Sequence, residues 1–252
     1  LSQHDPFAGA VSPSLVSGNG LGPAFELKFL VEEPVARIIK EWSRQLLALD
    51  PHGDPSREGA YQTASIYTDT PELDVYLRSQ TYRRSKYRVR SYGSCSAYFL
   101  ERKSKSGDRV AKRRSAIPTD DLAVLKQPAS ALEWVGHWFH QRLIAKRLQP
   151  ACQISYDRTA FVGMSATGPV RLTLDQRIVG VLANEWSFRP VDGGLRLLSG
   201  KVIVEFKYRS ALPILFKGLI MDLRLSPTPV SKYRLCREAC GVTPLRRGSI
   251  DA

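Results

Sequence analysis

Histidine, methionine and cysteine are scarce, with four His, two Met and four Cys in 252 residues. Cys95, Cys152, Cys236 and Cys240 form no CxxC pair and have no histidine cluster beside them, so neither a zinc site nor a disulfide framework is indicated. A reducing compartment, the cytoplasm, is the expected location. Of the histidines only His137 and His140 lie close together, three apart on an expected helix, without further ligands. Long apolar runs are also missing: ILFKGLIM, residues 214–221, is broken by Lys217 and is far shorter than the roughly 18 residues of a spanning helix. No basic start leads into an apolar stretch, so no secretory signal is expected. Acidic residues are in the minority, 24 against 37 Lys plus Arg, which leaves a net charge of +13. The partner this implies is an anion of several charges: nucleic acid, an acidic membrane surface or polyphosphate. With 43% hydrophobic and 24% charged residues the chain is neither disordered nor fibrous, and its length suits one globular domain.

Residues 1–23 carry Pro6, Gly9, Pro13, Gly18, Gly20, Gly22 and Pro23 with almost no charge and no hydrophobic period, which reads as a flexible leader. Over 34–49, Val35, Ile38, Ile39, Trp42, Leu46 and Leu49 fall on one helical stripe behind a first-turn Pro34. A second long helix is expected over 131–148, with Trp134 and Trp138 in its packed face. Between and after these, period-two segments predominate, one of them YQTASIYTDT, followed by a short helix near Pro71 with Asp69 and Asp74 as turn and cap residues. Cys236 and Cys240 read as packing residues on a C-terminal helix.

The polar phase of these strands is almost purely ionic. Strand side chains alternate in direction, so in FELKF Glu26 and Lys28 share a face opposite Phe25, Leu27 and Phe29. RRSKYRVR gives Arg84, Lys86, Arg88 and Arg90; FLERKSK gives Glu101, Lys103 and Lys105; VAKRR gives Lys112 and Arg114. RLTLDQRI gives Arg171, Thr173, Asp175 and Arg177, and VIVEFKYR gives Glu205, Lys207 and Arg209. From Arg78 to Arg114 there are 13 basic and 2 acidic residues. Like charges on neighbouring strands repel, so such a face asks for an anion. If the apolar phase packs under helices, the ionic phase faces either bulk water or the inside of a wet closed barrel. Single carboxylates among the cations (Glu26, Glu101, Asp175, Glu205) suit a divalent ion, because Mg²⁺ and Mn²⁺ take one or two carboxylates and complete their shell with phosphate and water.

Eight segments in order, FELKFLV, SIYTDTPELDVY, KYRVRSYG, FLERKSKSGDRVAKRR, ISYDRTAF, VRLTLDQRI, VIVEFKYRSALP and SKY, carry a resemblance. From Phe25 to Tyr233 the chain resembles the VTC (vacuolar transporter chaperone) catalytic domain. That is the polyphosphate polymerase domain of the triphosphate tunnel metalloenzyme (CYTH-like) superfamily. The resemblance implies an α+β fold: a closed antiparallel eight-stranded β-tunnel, open at both ends, with a charged interior and helices packed outside. Its extent is expected to be 24–240, with a tail over 241–252. It implies a catalytic set of Lys28, Arg88, Arg90, Lys103 and Arg171, and substrate-binding Lys112, Arg114, Arg158 and Lys232. Phase adds Lys86 and Lys207 to the substrate cations. Glu205 resembles the metal carboxylate for Mn²⁺ or Mg²⁺, with Glu26 and Glu101 as secondary metal or positioning groups. Two positions depart from the family pattern: Thr68 replaces an aromatic, and Arg102 replaces an apolar or β-branched residue. Arg102 is expected to point outward along the helix-covered surface.

The activity implied is transfer of the ATP γ-phosphoryl group to a polyphosphate chain, releasing ADP. Such chemistry rests on positioned cations and metal rather than a nucleophilic triad. Arg88→Ala or Arg171→Ala is expected to abolish turnover with little loss of folding. A tripolyphosphate or polyphosphate hydrolase, and a polyphosphate-binding module without activity, are the alternatives. Nucleic acid is disfavoured because carboxylates share the phase of the cations, although Tyr82, Tyr87, Tyr92 and Tyr98 could serve as stacking platforms.

Overall fold

The computed structural model describes residues 24–93, 95–106 and 109–241; the expected leader, 1–23, and the tail beyond Gly241 lie outside the described residues. Strands form where ionic and apolar residues alternate, and also over 60–69 and 149–165, where the polar residues are mostly uncharged. In chain order the elements are β1 (Ala24–Glu32), α1 (Glu33–Leu46), β2 (Ala48–Leu49), β3 (Ala60–Asp69), α2 (Asp74–Leu77), β4 (Ser85–Tyr92), β5 (Ala97–Ser106) and β6 (Arg109–Pro118). Then come α3 (His137–Ala145), β7 (Gln149–Ser165), β8 (Gly168–Leu182), β9 (Leu195–Arg196), β10 (Lys201–Tyr208), α4 (Ile214–Asp222) and α5 (Lys232–Ala239).

Eight of the strands close on themselves. Their order is β7-β3-β4-β5-β6-β1-β10-β8, and β8 pairs back onto β7. Every pairing is antiparallel. Closure removes the free edges that an open sheet of this size would present. This is the eight-stranded tunnel expected above.

Outside the barrel the apolar phase is covered in two places. Phe29, Leu172, Leu174, Val204 and Phe206 pack with Ala36 and Ile39 of α1 and Phe216 and Leu219 of α4. Phe206 stacks on Phe216 with ring centres 4.4 Å apart. On the other side Ile66, Val89, Leu100 and Ile117 lie with Phe139 and Leu143 of α3. Each such side chain, once fully buried, stabilises the fold by roughly 1.5–3 kcal/mol. Because strands alternate, covering these residues obliges their ionic neighbours to face inward.

Both long helices are shorter than their patterns predict. α1 ends at Leu46 because Ala48 and Leu49 pair with Val162 and Phe161 of β7. It buries Ala36, Ile39 and Ser43, leaving Ile38 and Leu46 exposed. α3 starts only at His137. The Trp134 ring folds over Gly136, where a Cβ would lie 2.4 Å from it, and its Nε1 donates to Asp121 at 2.8 Å. Residues 131–136 are therefore turn rather than helix, and Leu132 and Val135 are exposed.

One end of the tunnel is covered rather than open. Ser231, just ahead of α5, accepts from inward-facing Lys86, Lys232 reaches Asp175, and the Tyr233 ring stacks on Tyr67. The start of α5 thus stands across that mouth. Tyr233 is anchored by donating to Asp69, which also accepts from the backbone N–H groups of Val75 and Tyr76 at the start of α2.

Candidate functional site

Register fixes which side chains meet inside. Glu26 lies opposite Lys207 and Lys28 opposite Glu205 on β1 and β10, while Lys207 lies opposite Arg171 on β8. Asp175 faces Arg158 of β7, and Arg158 faces Tyr61 of β3. Ser65 and Tyr67 lie opposite Arg90 and Arg88 of β4; Arg88 lies opposite Glu101 and Lys86 opposite Lys103 of β5; Glu101 and Lys103 lie opposite Arg114 and Lys112 of β6. Opposed residues share a face, so the ring gathers Lys28, Lys86, Arg88, Arg90, Lys103, Lys112, Arg114, Arg158, Arg171 and Lys207 inside one barrel, with Lys232 added from α5. Arg177 does not join them. A register shift on β7 and a left-handed φ of 52° at Arg177 turn its side chain to Asp157 instead, 65% exposed. Arg209 falls past the end of β10.

The cations are organised around few carboxylates. Glu101, 1% exposed, accepts from Arg88 Nε at 2.8 Å and from Arg114 Nε at 2.8 Å, and pairs with Lys112 at 2.5 Å. Burial acts to raise its carboxyl, but Arg88, Lys112, Arg90 and Arg114 together hold it well below the usual carboxylate range. Asp175 is clasped by Arg158, whose Nε and Nη2 donate at 2.6 and 2.8 Å, and by Lys232 at 2.6 Å. Glu26 takes Lys103 at 2.5 Å and Lys207 at 3.3 Å; Glu205 takes Lys28, and Lys207 at 3.1 Å. Arg171 pairs with buried Asp50 and donates to Tyr61 Oη at 3.3 Å. Arg90 is caged by hydroxyls, donating to Ser65 and Tyr156 at 3.0 Å each.

Cations remain in excess, and their protonation reflects it. Burial draws Lys103 down to about 8 despite the pull of Glu26, with Lys207 pressing the same way. Burial likewise takes Lys112 to about 8 against the opposing pull of Glu101 and Tyr92. Lys28 is lowered by burial and by Lys103, and Lys207 by burial, although Glu26 works to raise it. The Tyr92 phenol, which burial would raise, is brought to about 7 chiefly by Arg90. A buried cluster that disfavours its own charge is stabilised by an incoming anion.

Glu26 and Glu205 stand on neighbouring strands, face the tunnel and share Lys28 and Lys207. The buried Thr173 hydroxyl, across from Glu205 on β8, has no partner among the described residues. Two oxygen donors beside an unsatisfied hydroxyl fit Mg²⁺ or Mn²⁺ when phosphate and water complete the shell. Among the described residues no group of three or more His, Cys, Asp or Glu forms a metal cage. Glu101 does not fit this role: it is 1% exposed and fixed by the forks of Arg88 and Arg114 as well as by Lys112, whereas Glu26 and Glu205, 10% and 12% exposed, are held by lysines alone.

The sequence left Asp50 without a role and grouped Asp175 with the carboxylates suited to a divalent ion, without naming Arg158 and Lys232 as its partners. It also missed the inward tyrosines Tyr61, Tyr67 and Tyr156. The tyrosines share the period-two phase of the cations, which is the signal that could have found them. Asp50 sits in a loop and carries no such signal.

A family model described as VTC domain matches residues 24–240. Among solved structures, the Hippeastrum protein HpAC1, described as an adenylyl cyclase candidate with a dominant triphosphatase activity, aligns with a TM-score of 0.51 at 14% identity, covering 86% of this chain and 96% of that one. An adenylate cyclase candidate from Bacillus halodurans aligns with a TM-score of 0.50 at 14% identity, covering 82% and 92%. At these identities the likeness is one of fold. A search of curated protein sequences finds no match.

Proposed function

The chain belongs to the VTC domain family, and on that premise we propose that it is a polyphosphate polymerase, an ATP:polyphosphate phosphotransferase acting inside the barrel. The observation that carries this reading is the enclosed excess of cations, several of them lowered in pKa by burial and mutual repulsion. A linear polyanion with no hydrogen-bond donors of its own matches that interior, and a duplex does not fit within a barrel of eight strands.

In the proposed reaction a terminal oxygen of the chain attacks the γ-phosphorus of ATP. The bond from that phosphorus to the β,γ-bridging oxygen breaks, and ADP leaves with the electron pair. The residues position and neutralise rather than bond covalently. Arg88, Arg90 and Arg171 grip phosphate oxygens through planar forks, while Lys28 and Lys103 supply point charge. Lys86, Lys112, Arg114, Arg158, Lys207 and Lys232 line the path of donor and chain. Glu205 and Glu26 would hold Mn²⁺ or Mg²⁺, which supplies charge neutralisation on the phosphates when bound. Glu101 acts as a positioning counter-ion for Arg88 and Arg114.

A cytoplasmic location is supported by the four free thiols. No helix among the described residues is long and apolar enough to cross a membrane. The test is incubation with ATP and Mn²⁺ or Mg²⁺, with and without a short polyphosphate primer, followed by gel staining for polyphosphate. A metal-dependent ladder with ADP release is expected. Orthophosphate from tripolyphosphate without a ladder would make the protein a hydrolase, and neither product would make it a binding module.

A further inference from the structure

Arg102, marked by the sequence as a departure from the family pattern, does point out of the barrel, and it does not stand alone there. It lies directly opposite Arg113 in the β5–β6 register. Arg142 and Gln141 of α3 complete a cavity of about 300 Å³ with both of them and Trp138. Three arginines therefore line one recess of the outer surface. Among the described residues, no Asp or Glu forms an ion pair with any of them. Two arginines directly opposite on neighbouring strands repel each other, and among the described residues no carboxylate offsets it.

Two further observations point to a ligand. The Arg102 Nε is buried and has no hydrogen-bond partner among the described residues. The Arg113 guanidinium lies 4.2 Å from the centre of the Trp138 ring, whose Nε1 donates to Ser115 at 2.9 Å. Stacking fixes the plane of that fork before any ligand arrives, and a preset fork loses less freedom when it grips an oxyanion. The Trp138 face is occupied by Arg113, so the recess offers charge rather than a stacking surface for a base.

We propose that this outer recess is a second anion site, separate from the tunnel, that binds a compact free ligand with two or three linked phosphoryl groups. Its size fits pyrophosphate or tripolyphosphate, and the donors are guanidinium forks suited to paired phosphate oxygens. Strand alternation separates the two sites: Glu101, Lys103, Lys112 and Arg114 face the tunnel, while Arg102 and Arg113, their chain neighbours, face the recess. The site does not depend on the tunnel being an enzyme.

The test titrates sodium pyrophosphate into the full chain while following tryptophan emission, because Trp138 lies beneath Arg113. A saturable emission change is expected. Trp138→Phe removes it. Arg142→Glu, an exposed position, and Arg102→Leu each weaken it at least about tenfold. Lys103→Met, on the tunnel face of the same strand, leaves it in place. No saturable change in the wild type, a change that persists in both arginine variants, or one lost in Lys103→Met, overturns the proposal.

Discussion

Arg88 Nε donates to Glu101 Oε2 at 2.8 Å across the β4–β5 pair, inside the barrel, and Arg114 reaches the other oxygen of the same carboxylate from β6. One buried acid thus sets the direction of two inward-facing forks. Glu101→Gln keeps the shape and removes the charge, leaving buried cations without their counter-ion. Stability is expected to fall by about 3 kcal/mol. Turnover is expected to fall on the order of 10²-fold through misplaced forks. Because the added anion replaces the missing charge, tripolyphosphate should raise the melting temperature of the variant more than that of the wild type. Thermal melts with and without tripolyphosphate, alongside a rate measurement, check this.

Lys112 predicts a pH dependence of binding. Its value near 8 lies below that of a free lysine, so it carries charge below pH 8 and loses it as pH rises through that value. A polyanion in the tunnel favours the charged form and raises the value again. Tripolyphosphate binding should therefore weaken as pH rises through 8 and should take up protons between about pH 8 and 9. Calorimetry in two buffers of different ionisation enthalpy measures that uptake. Lys112→Met should reduce it.

Arg171 corrects an expectation drawn from sequence. Alanine there was expected to spare folding, yet Arg171 is the cation paired with Asp50, which is 4% exposed. Arg171→Ala should lower both turnover and stability. Arg171→Lys keeps a cation beside Asp50 but loses the fork, so turnover should still drop on the order of tenfold or more while the melting temperature holds. Parallel melts and initial rates of the two variants separate the roles.

The barrel was legible because its signal is periodic. FELKF, KYRVR, LERK and VEFK each place ions in one phase, and apart from the out-of-phase Arg102 these ions face inward. What the pattern could not show is where a phase is interrupted. Arg177 continues the alternation of β8 on paper, but the irregular pairing with β7 turns it out to Asp157. The helix over 131–148 had the right apolar spacing, yet Trp134 closes over Gly136 and the helix begins after it. Partners far apart in sequence were equally hidden. Asp50 meets Arg171, and Tyr233 meets Asp69, only after the ring has closed.

Tyr233 gives a structural prediction for the covered mouth. Its hydroxyl donates to Asp69, which also caps α2, and burial with that carboxylate raises the phenol far above its ordinary value. Tyr233→Phe should destabilise the protein by about 1–3 kcal/mol. It should also speed hydrogen exchange at Val75 and Tyr76, whose amides bond to the same carboxylate. Exchange mass spectrometry over α2 reads the effect.

The most direct test of the tunnel as the phosphate path is a crystal structure of the protein with tripolyphosphate and Mn²⁺. The account predicts phosphoryl groups inside the barrel within hydrogen-bond distance of Arg88, Arg90 and Arg171, with the metal beside Glu205 and Glu26. Tripolyphosphate bound only outside the barrel, with Lys28 and Lys207 still closed on their carboxylates, would contradict it.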